Sequence, residues 1–554
     1  MNEEQFETEL IQYITSGTIT KPEHLEGISD FMVNEKSADY VVKTKLWKYE
    51  PKIKTTEKLW DNFKEILERH NQSTLDHPLS TVEFNQVKKI ISDIQTPYEA
   101  GQFLYGLNGV SQIEIDLDDG RHVFLTVFDQ KQIGAGDTVY QVVNQIERPA
   151  IITGKQNRRF DTTLLINGLP IIQIEEKRDT HDVNEALNQM HQYSEENQYR
   201  DIFSTLQILV AITPNNVKYM ANTTSDKFNK DFAFNWQRKS DNTIVRNWKE
   251  FADSMLSIPM AHQMATNYMI LDGTKNKQML KVMRPYQVYA TQNVIENLKQ
   301  VDFELGTNKV GYIWHTTGSG KTLTSFKASQ ILTRLPKIKK VVFVVDRKDL
   351  DYQTTKEFNS FSKGCIDGTD NTKQLVKQFT DDTKLIVTTI QKLNAAISKK
   401  LYKGRMEKMQ NERIVFIFDE CHRSQFGDTH KNINKFFNNP QMFGFTGTPI
   451  FADNAAKNEL GKRTTKDLFG DCLHKYVITD AIKDENVLKF SVEYVGRYKK
   501  KDAATEIDIE VEDIDTKELM ESPVRLEKIA NYILAHHKRK THNQEFTAMF
   551  CVSG

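Results

Sequence analysis

VGYIWHTTGSGKT, residues 310–322, sets an apolar strand directly against a glycine-rich turn and the start of a helix. A turn of this composition points backbone N–H groups into one small volume, and the N-terminus of the following helix adds a dipole that favours a phosphate. Thr317, Gly318, Ser319 and Gly320 supply the cradle, Lys321 stands where an amine neutralises β- and γ-phosphates, and Thr322 stands where a hydroxyl holds Mg²⁺. His315 takes the place at which the strict GxxxxGK[ST] pattern has its first glycine. In isolation the octamer could be a plain turn between strand and helix. Its neighbourhood argues otherwise.

Downstream, KVVFVVD, KLIVTT, IVFIFD and MFGFTG are further short apolar strands separated by helical stretches, the grammar of a parallel sheet covered on both faces. The strand IVFIF ends in Asp419-Glu420-Cys421-His422. A carboxylate at the C-terminal end of a parallel strand faces the ligand crevice beside the phosphate loop. Asp419 is therefore read as a Mg²⁺ ligand and Glu420 as the base that orients and deprotonates the attacking water. Arg284-Pro285-Tyr286-Gln287 precedes the loop, and VVDRKDL (344–350), TTIQKL (388–393) and Thr446-Gly447-Thr448-Pro449 follow it. Six such strings in this order resemble the superfamily 2 helicases. That resemblance implies ATP and Mg²⁺ as cofactors, Gln287 as the adenine contact, and DNA-backbone contacts from VVDRKDL and TTIQKL. It also implies that Thr446, Gly447 and Thr448 couple nucleotide state to the grip on DNA.

A second constellation lies upstream. Asp161 opens one strand; after the turn Asn167-Gly168, Glu175 and Lys177 lie two apart on the next, so their side chains share a face. Two carboxylates and a lysine suit metal-dependent phosphodiester hydrolysis, with Asp161 and Glu175 holding Mg²⁺ and Lys177 stabilising charge near the attacking water. Charged residues on a wet strand face are common, so the surroundings matter. Gln189 and Tyr193 follow on one face of the next helix, spaced QxxxY. The set resembles the PD-(D/E)xK nucleases of the RecB-like branch, with Phe160 where the motif's proline stands, and that branch implies Gln189 and Tyr193 near the DNA. Glu176 points to the opposite face, its carbonyl remaining a candidate ligand. His181, His191 and the basic runs 337–340 and 499–501 read as solvated surface.

A chain of 554 residues exceeds one hydrophobic core and implies two or three domains. With 38% hydrophobic residues, 27% charged and a net charge of −1, it is neither disordered nor a compact basic DNA-binding module, though a local basic track remains compatible. Cys365, Cys421, Cys472 and Cys551 form no CxxC pair, which argues against a disulfide framework or zinc cage and for a reducing compartment. The acidic, amphipathic N-terminus is no signal peptide and no run reaches membrane-spanning length. A cytoplasmic protein with no membrane partner is expected.

From the LWDNFKEIL helix through INGLP to AMFCVS, the chain resembles the restriction subunit of type I restriction-modification enzymes. In that family the nuclease precedes the motor, whereas type III subunits usually place it after. The resemblance implies duplex DNA and a methyltransferase core of modification and specificity subunits as partners. That core reads the sequence while ATP-driven translocation leads to cutting at distant positions. The expected α/β layout is a PD-(D/E)xK nuclease domain (1–235), a connecting region (236–280), a RecA-like lobe (281–472) and the start of a second lobe (473–554), whose opening strand is EFTAMFCVSG. No second-lobe Gln-x-x-Gly-Arg motif occurs, so the expectation is nucleotide binding with poor hydrolysis. A hydrolysis-deficient remnant that only docks, or a standalone helicase-nuclease, are the other readings.

Overall fold

The computed structural model describes residues 2–16, 47–106, 109–301, 309–345, 372–421, 426–453, 464–490, 493 and 522–551. They fall into two units, Met1–Lys489 and Phe490–Gly554. Within the first, the strands are β1 (Lys48–Tyr49), β2 (Val110–Asp116), β3 (His122–Asp129), β4 (Tyr140–Arg148), β5 (Arg158–Ile166), β6 (Leu169–Glu176), β7 (Ile208–Thr213) and β8 (Asn216–Ala221). They continue with β9 (Met269–Asp272), β10 (Met279–Val282), β11 (Lys309–His315), β12 (Lys340–Val345), β13 (Leu385–Thr389), β14 (Ile414–Phe418), β15 (Gln441–Thr446) and β16 (Cys472–Tyr476). The helices that matter to the sites are α1 (Glu3–Thr15), α2 (Thr56–His70), α3 (Pro97–Tyr105), α4 (Val183–Glu195), α5 (Pro285–Gln300) and α6 (Lys321–Leu332).

The first sheet runs β1-β4-β5-β6-β7-β8. β4, β5 and β6 are antiparallel neighbours, and β6 then pairs in parallel with β7. A parallel return needs a crossover, and α4 provides it. Every residue of β6 is buried, because helices cover both faces of this strand. Its apolar run LPIIQI therefore lacks the alternation of a half-wet strand. β5 and β6 are joined by Asn167-Gly168, with φ of 52° and 81°, the two left-handed residues that a type I′ turn requires.

The second sheet, β13-β12-β14-β15-β11-β16, is parallel throughout. Val342, Val344, Phe416 and Phe418 enter the core on one face, while Val341, Phe343, Val415 and Ile417 enter the core on the other. Both faces are dry, as the continuous apolar strands require. The C-terminal ends of β11, β14 and β15 lie together, and their loops carry the motifs.

The structure departs from the sequence reading in several places. The segment 236–280 does not merely connect: one apolar core runs from Phe6 to Tyr289 and takes in Trp236, Trp248, Phe251 and Met255. It also contains the antiparallel pair β9–β10, whose four-residue strands are too short to show a period. The second sheet continues past residue 472, since CLHKY forms the edge strand β16 against β11; being half exposed, it carries no apolar run. Lys340 of the basic run 337–340 is buried, and its amine donates to the carbonyls of Gln378 (2.9 Å), Thr383 (2.6 Å) and Asp381. Residues 499–501 lie outside the described residues, as do 346–350 of VVDRKDL.

In the second unit, helix Pro523–Lys540 is followed by residues 545–551, which form no strand. An extended segment becomes a strand only when a neighbour pairs with its backbone. Among the described residues no helix is long and apolar enough to cross a membrane, and Cys421, Cys472 and Cys551 are free thiols.

A Cβ on Gly168 would lie 2.9 Å from the backbone Cα of Phe63 on α2, at a φ that L side chains rarely adopt. Gly168→Ala is therefore expected to destabilise the first unit by about 2 kcal/mol, measured by urea unfolding.

Candidate functional sites

β5 and β6 pair Thr162 with Ile174, and one residue further in the same register Asp161 faces Glu175. Asp161 Oδ2 accepts the backbone N–H of Glu176 at 3.0 Å. Lys177 follows β6 and sets its Nζ 3.7 Å from Glu175 Oε1 and 2.9 Å from the Glu176 carbonyl, to which it donates. That carbonyl, a candidate ligand on sequence grounds, is thus engaged by the lysine. On α4, Gln189 Nε2 donates to the Tyr193 hydroxyl at 2.5 Å, and the hydroxyl lies 3.3 Å from Glu175 Oε1. Phe160 packs its ring 4.9 Å from that of Tyr193, filling the motif's proline position with an apolar wall. Asp161, Glu175, Lys177, Gln189 and Tyr193 are all brought together. His181 instead pairs with Glu185, and His191 stacks on Phe228, both on the surface.

The electrostatics of this cluster are unbalanced. Glu175 and Glu176 are buried, and burial first, then the Asp161 charge, pushes both carboxyls well above the usual range. Asp161 is raised too, chiefly by burial. A fourth acid, missed in the sequence reading, joins them: Glu7 on α1, buried and raised by desolvation and then by Asp161. A signal for it existed. Glu7 shares the helical stripe of Leu10, Ile11 and Ile14, where a carboxylate has no reason to be unless it has a partner inside. Glu175 Oε2 accepts no hydrogen bond among the described residues. A buried acceptor without a donor, in a group of carboxylates around a single nearby amine, is what a hard divalent cation satisfies. The residues fit Mg²⁺.

The phosphate loop leaves β11 and enters α6. Gly318 (φ 83°) and Gly320 (φ 77°) are left-handed, and a Cβ on Gly320 would lie 2.7 Å from Gln287 Nε2. Ser319 Oγ closes the turn on the Thr316 carbonyl at 2.6 Å. Thr317 precedes the glycines, and Thr322 sits half-buried in the first turn of α6. Lys321, buried, points its Nζ to within 3.4 Å of Glu420 Oε1. Glu420 itself is left-handed (φ 48°), with its N–H on Asp419 Oδ1 at 3.0 Å. From β15, Gly447 approaches so closely that an added Cβ would stand 3.3 Å from Lys321 Nζ; Thr446 is buried and accepts the Thr448 N–H at 3.1 Å. Lys321, Thr322, Asp419, Glu420 and the Thr446–Thr448 turn thus meet at the ends of three neighbouring strands.

Two residues make contacts that the motifs do not describe. Gln287, read as an adenine contact, spends its amide inside the protein: Oε1 accepts the Arg284 N–H, and Nε2 donates to the carbonyls of Ser319 (3.2 Å) and Gly320 (3.3 Å). It props the phosphate loop from behind. His315, which breaks the glycine pattern, is a core residue. Its ring nitrogen lies 3.0 Å from that of His474 on β16, beside Tyr286 and Tyr476, whose rings stack at 3.7 Å.

α6 serves both halves of the first unit. Its Leu323 and Ile331 pack on the core that contains the carboxylate site. At its end Gln330 Nε2 donates to the Tyr105 hydroxyl of α3 at 3.0 Å, and Arg334 reaches the same hydroxyl at 2.5 Å and also Gln130 and Asn267. The spacing 323, 327, 330, 331, 334 is one helix face, and on it Lys327 is buried with its amine on Gln330 Oε1 at 2.9 Å.

Comparison with known proteins gives a consistent picture. Residues 32–228 match the family described as the type I restriction enzyme R protein N terminus, and residues 286–523 match the SWI2/SNF2 ATPase family. The chain is 42% identical over 502 residues to a type I restriction enzyme endonuclease subunit of Staphylococcus saprophyticus, covering 90% of this chain and 51% of that one. It is 47% identical over 165 residues to the C-terminal part of a putative type I restriction enzyme endonuclease subunit of Mycoplasma pneumoniae, covering 28% of this chain and 80% of that one. The chain spans about half the length of the first curated relatives it matches. Among solved structures, a nuclease-deletion mutant of the Type ISP restriction-modification enzyme LlaGI, in complex with a DNA substrate mimic, aligns at 20% identity and a TM-score of 0.29. That alignment covers 37% of this chain and 21% of that chain.

Burial holds His474 down to about 4, so its ring is neutral in the fold at pH 7. Below its ordinary value of 6.5 the unfolded chain takes up a proton that the folded chain refuses until about pH 4. Its contribution to stability is present above 6.5 and is lost as pH falls through that window. His474→Gln is expected to shrink the stability difference between pH 7 and pH 5 by about 1–2 kcal/mol relative to the unsubstituted chain, read by urea titration at both values.

Proposed function

The chain belongs to the endonuclease subunits of type I restriction enzymes, and from that premise we propose that its N-terminal body cuts duplex DNA while its parallel sheet binds ATP and drives DNA past the site. The observation that carries this reading is the cluster at the end of β5 and β6. There Asp161, Glu175 and Lys177 stand together with a buried Glu175 oxygen that no donor among the described residues satisfies.

In this reading the N-terminal fold is a PD-(D/E)xK nuclease. Asp161 and Glu175 hold Mg²⁺, which when bound supplies charge to polarise the scissile phosphate and acidify a water. Lys177, fixed between Glu175 and the Glu176 carbonyl, places its amine where negative charge gathers in the transition state. Tyr193 orients Glu175 through its hydroxyl, and Gln189 orients Tyr193. The apolar wall of Phe160 excludes water behind them. In the motor, the backbone of Thr317–Gly320 cradles the phosphates and Lys321 neutralises them. Thr322 and Asp419 hold the Mg²⁺ that accompanies ATP, and Glu420 takes the proton of the attacking water. Before ATP arrives the Lys321–Glu420 pair keeps both side chains in place. Gly447 lies close to the same lysine, so the Thr446–Thr448 turn registers whether it holds a phosphate.

The partners follow from the family. A methyltransferase core of modification and specificity subunits reads the DNA sequence in the cytoplasm, and this subunit cleaves unmethylated DNA away from that site.

The test is Mg²⁺-dependent ATP turnover and cleavage of circular duplex DNA by the full chain, with and without the methyltransferase core. Asp161→Ala and Lys177→Ala are each expected to lower cleavage at least about 10²-fold while ATP binding is retained. Lys321→Ala is expected to abolish ATP binding and leave the Mg²⁺-induced rise in melting temperature from the carboxylate site intact. Cleavage that survives Asp161→Ala would dismiss the nuclease assignment; ATP turnover that survives Lys321→Ala would dismiss the motor assignment.

A further inference from the structure

α1 is pinned to the first core by Phe6, Leu10, Ile11 and Ile14. Between these anchors Glu7 turns inward and has two short bonds: its Oε1 accepts Asn144 Nδ2 at 2.6 Å, and its Oε2 accepts Gln145 Nε2 at 2.6 Å. The two amides belong to consecutive residues of β4. Asn144 is gripped from the other side as well, since its side-chain oxygen receives the Tyr49 hydroxyl at 2.8 Å and the Lys54 amine.

The residue beside it is conformationally unusual. Gln145 has φ of 54°, left-handed, within a strand. The β4–β5 ladder pairs Asn144 with Thr162 and Ile146 with Phe160, so the residue between, Gln145, stands across from Asp161. A residue with a Cβ stays left-handed inside a strand only where its surroundings over-determine it. A tether for α1 would need no such distortion. A carboxylate that binds both neighbours at once does enforce it.

We propose that Glu7 is a positioning residue of the carboxylate site: by clamping the side chains of Asn144 and Gln145 it holds the left-handed kink of β4 opposite Asp161 and so fixes where Asp161 presents its carboxylate. The proposal deepens the reading of that cluster as a Mg²⁺ nuclease site and rests on it. Residues 2–16 thereby become part of the site rather than a leading arm.

The experiment uses the full chain. Hydrogen exchange is followed by mass spectrometry in residues 143–147 and 160–163 without metal, and Mg²⁺ affinity by calorimetry. Glu7→Ala is expected to speed exchange in both segments, leave exchange in residues 340–345 unchanged, and weaken Mg²⁺ binding about 10-fold or more, the usual cost of losing an outer-shell partner. Adding Gln145→Gly to Glu7→Ala lets the kink form without a clamp, because glycine occupies the left-handed region freely. This double variant is expected to recover most of the lost affinity. Should Glu7→Ala fail to fold, Gln145→Ala keeps α1 attached through Asn144, and the same loss of affinity is expected. Unchanged exchange and affinity, or a loss that Gln145→Gly does not recover, overturns the proposal. If Asp161→Ala binds Mg²⁺ as well as the unsubstituted chain, the metal-site reading fails by itself, and the exchange rates still decide whether Glu7 holds the kink.

Discussion

Carboxylates removed from water must be protonated, paired or metallated, and four of them converge where β5 meets β6. Burial and then the Asp161 charge raise Glu7, Glu175 and Glu176, burial raises Asp161 itself, and the Lys177 amine stands 3.7 Å from Glu175. No fold assembles such a group for stability, since uncompensated buried charge costs several kcal/mol. The surrounding architecture serves to keep these groups in place: the Asn167-Gly168 turn sets the register, α4 brings Tyr193 to Glu175, and α1 brings Glu7 to β4. In the reading proposed above, what is unfavourable in the isolated protein is a store of binding energy for a cation.

The phosphate loop works by the opposite logic. There the buried charge is the amine of Lys321 rather than a group of carboxylates. Glu420 stands 3.4 Å from it, a loose pairing. The loop's rear is made rigid by a polar prop, Gln287, and by an aromatic stack in which His315 and His474 stay neutral.

Much of this was legible in the sequence for a physical reason. Strands buried on both faces must be continuously apolar, so β11, β12, β13, β14 and β15 announce themselves, and a left-handed turn needs glycine, which marks Gly168, Gly318 and Gly320. Asp161, Glu175 and Lys177 were readable because strand periodicity is two and the turn between them is short. What stayed hidden lacks such a rule. β16 is a half-exposed edge strand, β9 and β10 are four residues long, and the pairing of His315 with His474 spans 159 positions with no local trace. Gln287 matched a motif, yet its partners are loop carbonyls that only the folded chain brings near. Glu7 was visible as a carboxylate on an apolar stripe, but its counterparts lie more than a hundred residues away.

The single apolar core from Phe6 to Tyr289 bears on how such chains can be shuffled during evolution. A break inside 236–280 would leave Trp236, Trp248 and Phe251 without the packing they share with the N-terminal sheet, so a recombination joint there between distant relatives would expose apolar surface on both products. α6 adds a second constraint, because Gln330 and Arg334 must find a hydroxyl at position 105 and a polar group at 130. Exchange of the N-terminal sheet for a foreign one is thus tolerated only when the donor brings the matching surface of α3 and the loop after β3. The two sheets are inherited as a block, and sequence drift on either side of that contact is expected to be correlated rather than free.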